Sequence, residues 1–401
     1  MSVKGWCPGA WRPMASGDGL VVRVRPRLAR LTAAQAEGLC TLALRHGSGL
    51  IDVTNRANLQ LRGVAETAHA ALLEGLGELG LLDDDPALEG RRNLLVAPFW
   101  TGGDLTRRLA EELLARLAEL PELPAKFGFA VDCGDTPCLG GAPADIRIER
   151  GAGGLILRAE GADSGRAVGP EEAVSRAIEL AHWFARARGE DREDGTGGVN
   201  PALRPPTRMA RLLAHRPLPA LWTGHAPHRV GRGLPRHPGP TPVGPMLGLP
   251  FGQIAGADLP RLMAASGARA IRVTPWRCII LEDGAPVTDP AVLSDPDDPL
   301  LGADACPGAP FCTSASVETR ALARRLARPG LGLHVSGCAK GCARAGPAEL
   351  TLVGRDGRFD LVEGGHAWDE PSQRGLTPAQ LDEPGGALTR ATTHSTRSGR
   401  R

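Results

Sequence analysis

Tyrosine is absent from all 401 residues, which excludes any reaction that needs a phenol as acid, base or radical. Lysine is nearly absent too: Lys4, Lys126 and Lys340 are the only three among 47 basic residues, leaving 44 arginines. Arginine is a planar fork and lysine a compact, strongly hydrated point charge, so the two interior lysines, Lys126 and Lys340, become candidates for a specific role. No apolar run approaches the ~18–20 residues of a membrane span, and residues 1–20 are interrupted by Gly, Pro and Asp where a secretory leader needs its apolar stretch. Excess charge is missing as well. The net charge is +2, from 47 basic and 45 acidic residues, so no whole-molecule field gathers nucleic acid or an anionic membrane, and any anion binding must be local. The expectation is a soluble cytoplasmic protein with no nucleic-acid and no membrane partner.

The length exceeds the ~250–300 residues at which single cores stop growing, so two or more domains are expected. Gly 53 and Pro 35 make the chain loop-rich, yet 42% hydrophobic residues suffice for a real core. Nine cysteines in such a chain read as reduced thiols or metal ligands in place of disulfides. Cys7, Cys40, Cys133, Cys138 and Cys278 are scattered, whereas Cys306 and Cys312 are separated by five residues and Cys338 and Cys342 by three.

The chain also repeats itself. Thr32 with Gln35 forms a capping box ahead of a helix over 33–46, and Gly47 stands at its end; short strands follow over 49–56 and 59–63. In the second half Asp258 is expected to cap a short helix closed by Gly267, with strands over 269–277 and 278–282. Gly47 and Gly267, and likewise Thr54 and Thr274, are 220 positions apart. A second pair of segments repeats behind these. Ala97-Pro-Phe-Trp-Thr101 precedes a helix capped at Asp104 with Leu105, Leu109, Leu113 and Leu117 on one stripe. Ala309-Pro-Phe-Cys-Thr313 is expected to open a helix carrying Val317, Leu322 and Leu326. The order is A-B-A′-B′, and only B′ carries the clustered cysteines. The expected division is half-domain A over 1–80, domain B over 90–188, a Pro/Gly/Arg-rich linker over 189–247, half-domain A′ over 248–300, domain B′ over 301–370 and a disordered tail over 386–401.

Four thiolates in two pairs suit either a tetrahedral zinc ion or a [4Fe–4S] cluster. The five-residue gap holding Gly308 and Pro310 leans towards the larger cluster. Cys133 and Cys138, four residues apart, read as two ordinary thiols.

At these residues the chain resembles a known superfamily. Ala305-Cys306-Pro-Gly-Ala-Pro-Phe-Cys312 and Ser336-Gly-Cys338-Ala-Lys-Gly-Cys342 look like the cluster motif of the sulfite and nitrite reductases, and Val53-Thr-Asn-Arg56 with Gln60 and Gly63 looks like their tetrapyrrole-binding motif. Cys7-Pro-Gly with residues 12–20 and the Gly-Cys-Ala-Lys-Gly-Cys-Ala form resemble most the precorrin-3B synthase family of aerobic cobalamin biosynthesis. The resemblance implies an α+β fold: two ferredoxin-like half-domains paired about a pseudo-twofold axis, plus two α/β domains, with a macrocycle between them. It implies a [4Fe–4S] cluster on Cys306, Cys312, Cys338 and Cys342, an associated non-haem iron, dioxygen and precorrin-3A as substrates, and an NADH-linked reductase as electron donor. The implied activity is hydroxylation of a meso carbon with γ-lactone closure. Siroheme belongs only to the rival reading as a sulfite or nitrite reductase; a second rival is a tetrapyrrole carrier or electron-transfer protein.

A flat ring with eight peripheral carboxylates needs a slot lined with cations and hydrogen-bond donors. Matched residue by residue, the implied substrate contacts are Arg23, Arg25, Arg56, Gln60, Arg92, Asn93, Lys126, Arg277, taken as the pseudo-symmetric partner of Arg56, and Lys340. Where the reductases carry a second lysine after Phe127 this chain has Gly128, a departure that argues against sulfite chemistry. His225, His228 and His237 are weak candidates for the iron ligands, and His334 reads as a packed strand residue.

Overall fold

A computed structural model describes residues 8–190, 206–228 and 236–383. The expected tail, Cys7 and parts of the expected linker lie outside them. Strand segments of two to eight residues form four five-stranded sheets.

The first two sheets are antiparallel and exchange a strand. Met14–Ser16, Gly19–Val24, Leu59–Val64 and Leu50–Val53 are completed by Gln253–Ala255 from the second half of the chain. Gly239–Thr241, Gly244–Gly248, Cys278–Glu282 and Ala270–Val273 are completed by Arg30–Thr32 from the first half. Each exchanged strand leads into a helix that packs under the two sheets: Ala33–His46 presents Ala36, Leu39 and Ala43 to the core that also holds Leu259, Leu262 and Met263 of Asp258–Ser266. The first helix starts where the capping box puts it, with the Thr32 hydroxyl accepting from the Gln35 N–H. Two details of the caps differ from expectation. Asp258 is the first helical residue and caps nothing; Ala257 occupies the cap position. Gly267 closes its helix in the left-handed conformation at φ 71°, but Gly47 is extended at φ −134°, and the left-handed residue comes two positions later at Gly49, φ 75°.

The other two sheets share one plan. Leu94–Val96, Phe129–Asp132 and Ile146–Gly151 run parallel, and Gly154–Ala159 and Arg166–Ala167 continue antiparallel. Ala303–Ala305, Leu333–Ser336 and Ala348–Arg355 repeat the parallel trio, with Arg358–Gly365 and Gln373–Leu376 antiparallel. The first of these sheets is covered by Leu105–Ala115, capped by Asp104, and by Ala173–Glu190. The second carries only Arg320–Leu326 and Pro378–Asp382. The helix expected directly after Ala309 is therefore a loop. Its backbone groups pair locally, Cys312 N–H to Gly308, Ala315 N–H to Cys312 and Ala309 N–H to Val317, so none is left to start a helix before Arg320.

The sheets redraw the expected boundaries. The second antiparallel sheet begins at Gly239, inside the segment expected to be linker, and residues 225 and 227 of that segment bridge to Gly165 and Gly151 of the third sheet. The last sheet runs beyond 370 to Leu376.

The exchanged strands are fastened by charge. Arg30 makes two 2.8 Å hydrogen bonds to Glu282, which also accepts from Arg272 at 2.7 Å. Burial alone would raise the Glu282 carboxyl, but the two guanidinium groups overrule it and hold it at about 2, below the ~4.3 of an unfolded glutamate. Because the folded value is the lower one, this stabilisation is complete above pH ~4.3 and is lost as the pH falls towards 2. Glu282→Gln should lower the Tm at neutral pH while flattening the acid limb of its pH dependence, followed by circular dichroism. Parallel curves for the two proteins would show that the triad carries none of the acid sensitivity.

Candidate functional site

Cys306 follows strand Ala303–Ala305 and Cys338 follows strand Leu333–Ser336. These are neighbouring parallel strands, so both cysteine loops leave the sheet at the same carboxyl edge, the usual place for a site in a parallel sheet. The Gly337 N–H donates to Cys306 Sγ at 3.1 Å. Gly337 has no room for a side chain, because a Cβ there would lie 2.5 Å from that of Ala315. Thr319 donates to the Cys306 carbonyl at 2.5 Å and Ser336 to that of Cys338 at 2.7 Å. Lys340 Nζ, exposed, donates to Ser314 Oγ at 2.8 Å and ties the two cysteine loops together. Exposure is graded: Cys306 is buried, Cys312 and Cys338 are half-buried, and Cys342 is exposed. The Cys342 thiol is pushed up by desolvation and then by each of the other three sulfurs, with Lys340 opposing them, which puts the four cysteines in one neighbourhood. Among the described residues no three His, Cys, Asp or Glu side chains converge on a single-ion position.

The polar face of the first sheet looks onto these loops. Across its register lies one row, Arg23 opposite Gln60, Gln60 opposite Asp52 and Asp52 opposite Gln253. Asp52 accepts from Gln253 at 2.8 Å and from Arg62 at 3.3 Å. Arg320 reaches Asp52 at 3.6 Å from the cysteine domain. Its guanidinium is pushed down by burial and supported by Asp52 and by Cys306, which places it between the sheet and the cysteines. The hairpin over residues 14–24 docks directly on the first cysteine loop: Ser16 Oγ and the Gly17 N–H both donate to the Phe311 carbonyl, at 2.8 and 3.2 Å. Gly17 is required there, since a Cβ would sit 2.7 Å from the Pro310 oxygen. Asp52, Arg62 and Arg320 escaped the sequence reading. The available signal was a pair of charged residues, 52 and 62, inside otherwise apolar strands.

The expected contact residues divide. Arg23 and Gln60 are adjacent in the row, and Arg56 is half-buried on the turn that follows Asp52. Arg25 and Arg92 come together, but on a buried carboxylate: Glu89 accepts from them at 2.7 and 2.6 Å, and Arg92 also lies 3.3 Å from Asp83. Burial pushes the Arg92 guanidinium down, with Glu89 and Asp83 opposing. Asn93 donates to the Phe127 carbonyl at 2.7 Å, and its side chain fills the space beside residue 128, where a Cβ would lie 2.7 Å from Asn93 Nδ2. A lysine at 128 has no room. Lys126 is exposed in the turn before strand Phe129–Asp132. Arg277 donates to the Ala303 and Leu301 carbonyls at 2.7 and 3.0 Å and lies 3.0 Å from Asp304, anchoring the strand that leads to Cys306. It is not the counterpart of Arg56. With Thr54 and Thr274 in matching turns, Arg277 (φ 57°) matches Ala57 (φ 52°), and Trp276 matches Arg56.

His225, His228 and His237 are exposed and form no ligand group. His334 is fully buried in its strand with neither ring nitrogen hydrogen-bonded, and burial pushes its pKa down. Cys133 and Cys138 are buried free thiols; burial raises both, Cys133 to about 12, so they are inert.

Strand exchange about a pseudo-twofold, with cysteine loops at a sheet edge, defines a sulfite/nitrite reductase-like protein. Residues 12–79 match the nitrite/sulfite reductase ferredoxin-like half domain. The solved structure of Mycobacterium tuberculosis NirA superposes with a TM-score of 0.57 at 18% identity, covering 92% of this chain and 80% of that one. A ferredoxin–nitrite reductase of Synechococcus elongatus is 25% identical over 90% of this chain and 81% of its own. A precorrin-3B synthase of Sinorhizobium is 32% identical over 95% of this chain and 86% of its own, and the chain belongs to the precorrin-3B synthase family.

Removing Glu89 would leave Arg25 and Arg92 buried without their shared carboxylate. Glu89→Ala should cost about 3–5 kcal/mol of unfolding free energy in a denaturant titration. A loss below about 1 kcal/mol would mean that Asp83 and solvent compensate.

Proposed function

We propose that the protein is an oxygen-dependent monooxygenase converting precorrin-3A into precorrin-3B in aerobic cobalamin biosynthesis, with an iron–sulfur cluster held by Cys306, Cys312, Cys338 and Cys342. The observation that carries this reading is the pair of cysteine loops, tied together by the Lys340–Ser314 and Gly337–Cys306 contacts at one sheet edge, opposite a polar sheet face bearing Arg23 and Gln60. The donor set fits an iron–sulfur cube: four thiols at one sheet edge, spread too far for one ion, one of them already accepting a backbone N–H. When bound, such a cluster would supply single electrons from an NADH-linked reductase.

The chain's own residues perform the remaining work. Arg23, Arg56 and Gln60 offer donors to the acetate and propionate groups on one rim of the ring. The Arg62–Asp52–Gln253 network holds that face rigid and spends no exposed charge on the apolar ring itself. Arg320 keeps Asp52 paired and sets a cation on the side of the site where Cys306 lies. Arg25 and Arg92 share the single carboxylate of Glu89 and stand behind this wall, where Arg25 Nε and Arg92 Nη1 still lack acceptors among the described residues and could serve a substrate carboxylate. Lys126, Lys340 and Cys342 are exposed, so each is accessible to an incoming ring carboxylate or ring face.

The reaction adds one hydroxyl and closes one lactone across a ring double bond, so the product gains a single oxygen atom. Anaerobic loading with precorrin-3A, then ¹⁸O₂ and reductant, should give a macrocycle heavier by one labelled oxygen. A carrier would return it unchanged, and a siroheme reductase would show a Soret band as isolated.

Cys342→Ser should abolish both turnover and the cluster's electron paramagnetic resonance signal, whereas Cys138→Ser should leave both. The reverse pattern would move the metal site to the first half of the chain.

Arg23→Ala should weaken precorrin-3A binding by roughly tenfold or more, the worth of one charge-assisted hydrogen bond, with the visible spectrum unchanged. Lys126→Ala should act in the same direction; unaltered affinity would remove that residue from the site.

A further inference from the structure

The duplication leaves a second interface, between the polar face of the second sheet and domain B. A cavity of about 520 Å³ lies there, within the ~300–1,000 Å³ typical of small-molecule sites. We propose that it binds a small organic anion bearing two or more carboxylate or phosphate groups, at a site separate from the cysteine-lined cleft.

The floor and the rim of this cavity differ in kind. On the floor Arg30 and Arg272 share Glu282, and Arg272 also donates to the Pro98 and Trp100 carbonyls at 2.7 and 2.5 Å. Trp100 takes the place in its loop that Cys312 has in the repeat. Its ring lies under the Arg272 guanidinium, 4.1 Å from centroid to Cζ, with Arg107 at 5.3 Å. The indole thus plugs the niche where the sister domain presents a thiol. Although Trp100 is only 6% exposed and lines the cavity, its Nε1–H has no acceptor among the described residues. An indole N–H can only donate, so a ligand bringing an oxygen would satisfy it.

The rim is cationic and loosely committed. Arg27, Arg107 and Arg269 have largely exposed side chains, and their partners are Asp83, Glu111 and Asp283. The lining holds five arginines against Glu282 and Asp283, and with the flanking partners Asp83 and Glu111 counted the surplus is one positive charge. Exposed pairs of this kind are worth about 0–1 kcal/mol, so an incoming polyanion can take over their guanidinium groups at little cost. It would form bidentate contacts that a single surface carboxylate does not. The macrocycle is too large for this volume, and the apolar cluster of Val243, Met246, Cys278 and Ile280, packed against Phe99 and Trp276, closes the sheet where Arg23 and Gln60 stand in the first half.

Calorimetric titration of the holoprotein with citrate and, separately, with inorganic pyrophosphate, at matched ionic strength in chloride, tests the site. One saturable site is expected. It should weaken at least about tenfold in an Arg107→Ala/Arg269→Ala double variant and persist in Arg23→Ala, whose altered side chain lies in the other cleft. Binding of citrate alone identifies a carboxylate site, of pyrophosphate alone a phosphate site, and of both a general polyanion site. No saturable heat with either probe, binding unchanged by the double variant, or binding lost in Arg23→Ala overturns the proposal. None of these outcomes bears on turnover of precorrin-3A, which depends on the other interface.

Discussion

The reciprocal exchange of two three-residue strands is the constraint on which the rest of the molecule depends. Arg30–Thr32 and Gln253–Ala255 each leave their own half to complete the sheet of the other, so neither antiparallel sheet is whole without both halves of the chain. A free sheet edge invites unwanted pairing, and the exchange covers one edge of each four-stranded unit with a strand of only three residues, leaving a very short edge. It also fixes geometry. Each exchanged strand delivers one polar side chain, Gln253 or Arg30, to the charged residue at the centre of the receiving face. The helices that follow, Ala33–His46 and Asp258–Ser266, share one core, so the two polar faces are held in a set relation and each receives an α/β domain.

Positions 220 apart on these faces carry opposite charge. Asp52 and Arg62 in the first sheet correspond to Arg272 and Glu282 in the second, so the same buried ion pair is kept with its sign reversed. A buried pair tolerates such a reversal because its internal attraction is unchanged; what changes is the charge offered to the domain above. The carboxylate of Asp52 draws in Arg320, which brings a cation up to Cys306. The guanidinium of Arg272 seeks carbonyl oxygens and an aromatic face, and finds both in the Pro98–Trp100 loop.

Local features of this fold were legible in the sequence, and nonlocal ones were not. The Thr32–Gln35 capping box, Asp104 and Gly267 mark helix ends through interactions spanning three or four residues, and the two Ala-Pro-Phe segments betray the duplication. The exchanged strands are too short to show a period, and nothing in three residues states which sheet will receive them. The same limit hid the carboxylate that Arg25 and Arg92 share. A motif names the arginine but not the buried Glu89 that pairs with it from 64 positions away in one case and three in the other. Arg277 was aligned one position out because composition, with arginine at both turns, obscured the matching positive-φ residues Ala57 and Arg277. Asp52 and Arg320 carried no motif at all, since their importance lies in contacts across hundreds of residues.

The two Ala-Pro-Phe loops show what a bound metal centre and a guanidinium can each do for a backbone. In domain B the loop is pinned from below, where Arg272 binds the carbonyls of Pro98 and Trp100 at once and the indole fills the space above. In domain B′ the equivalent loop receives no such cation. Ser16 and Gly17 hold the Phe311 carbonyl from the first sheet, Thr319 and Ser336 hold the carbonyls of Cys306 and Cys338, and the Gly337 N–H donates to Cys306 Sγ, while none of the four thiols is in a disulfide among the described residues. Buried polar and polarisable groups are ordinarily paired, and the exceptions mark function. Loops fastened at these three carbonyls, with their thiols left reduced, are suited to being completed by what the thiols bind. Its twin is fastened by one arginine at the two carbonyls flanking Phe99, the counterpart of Phe311, and carries Trp100 in place of the thiol.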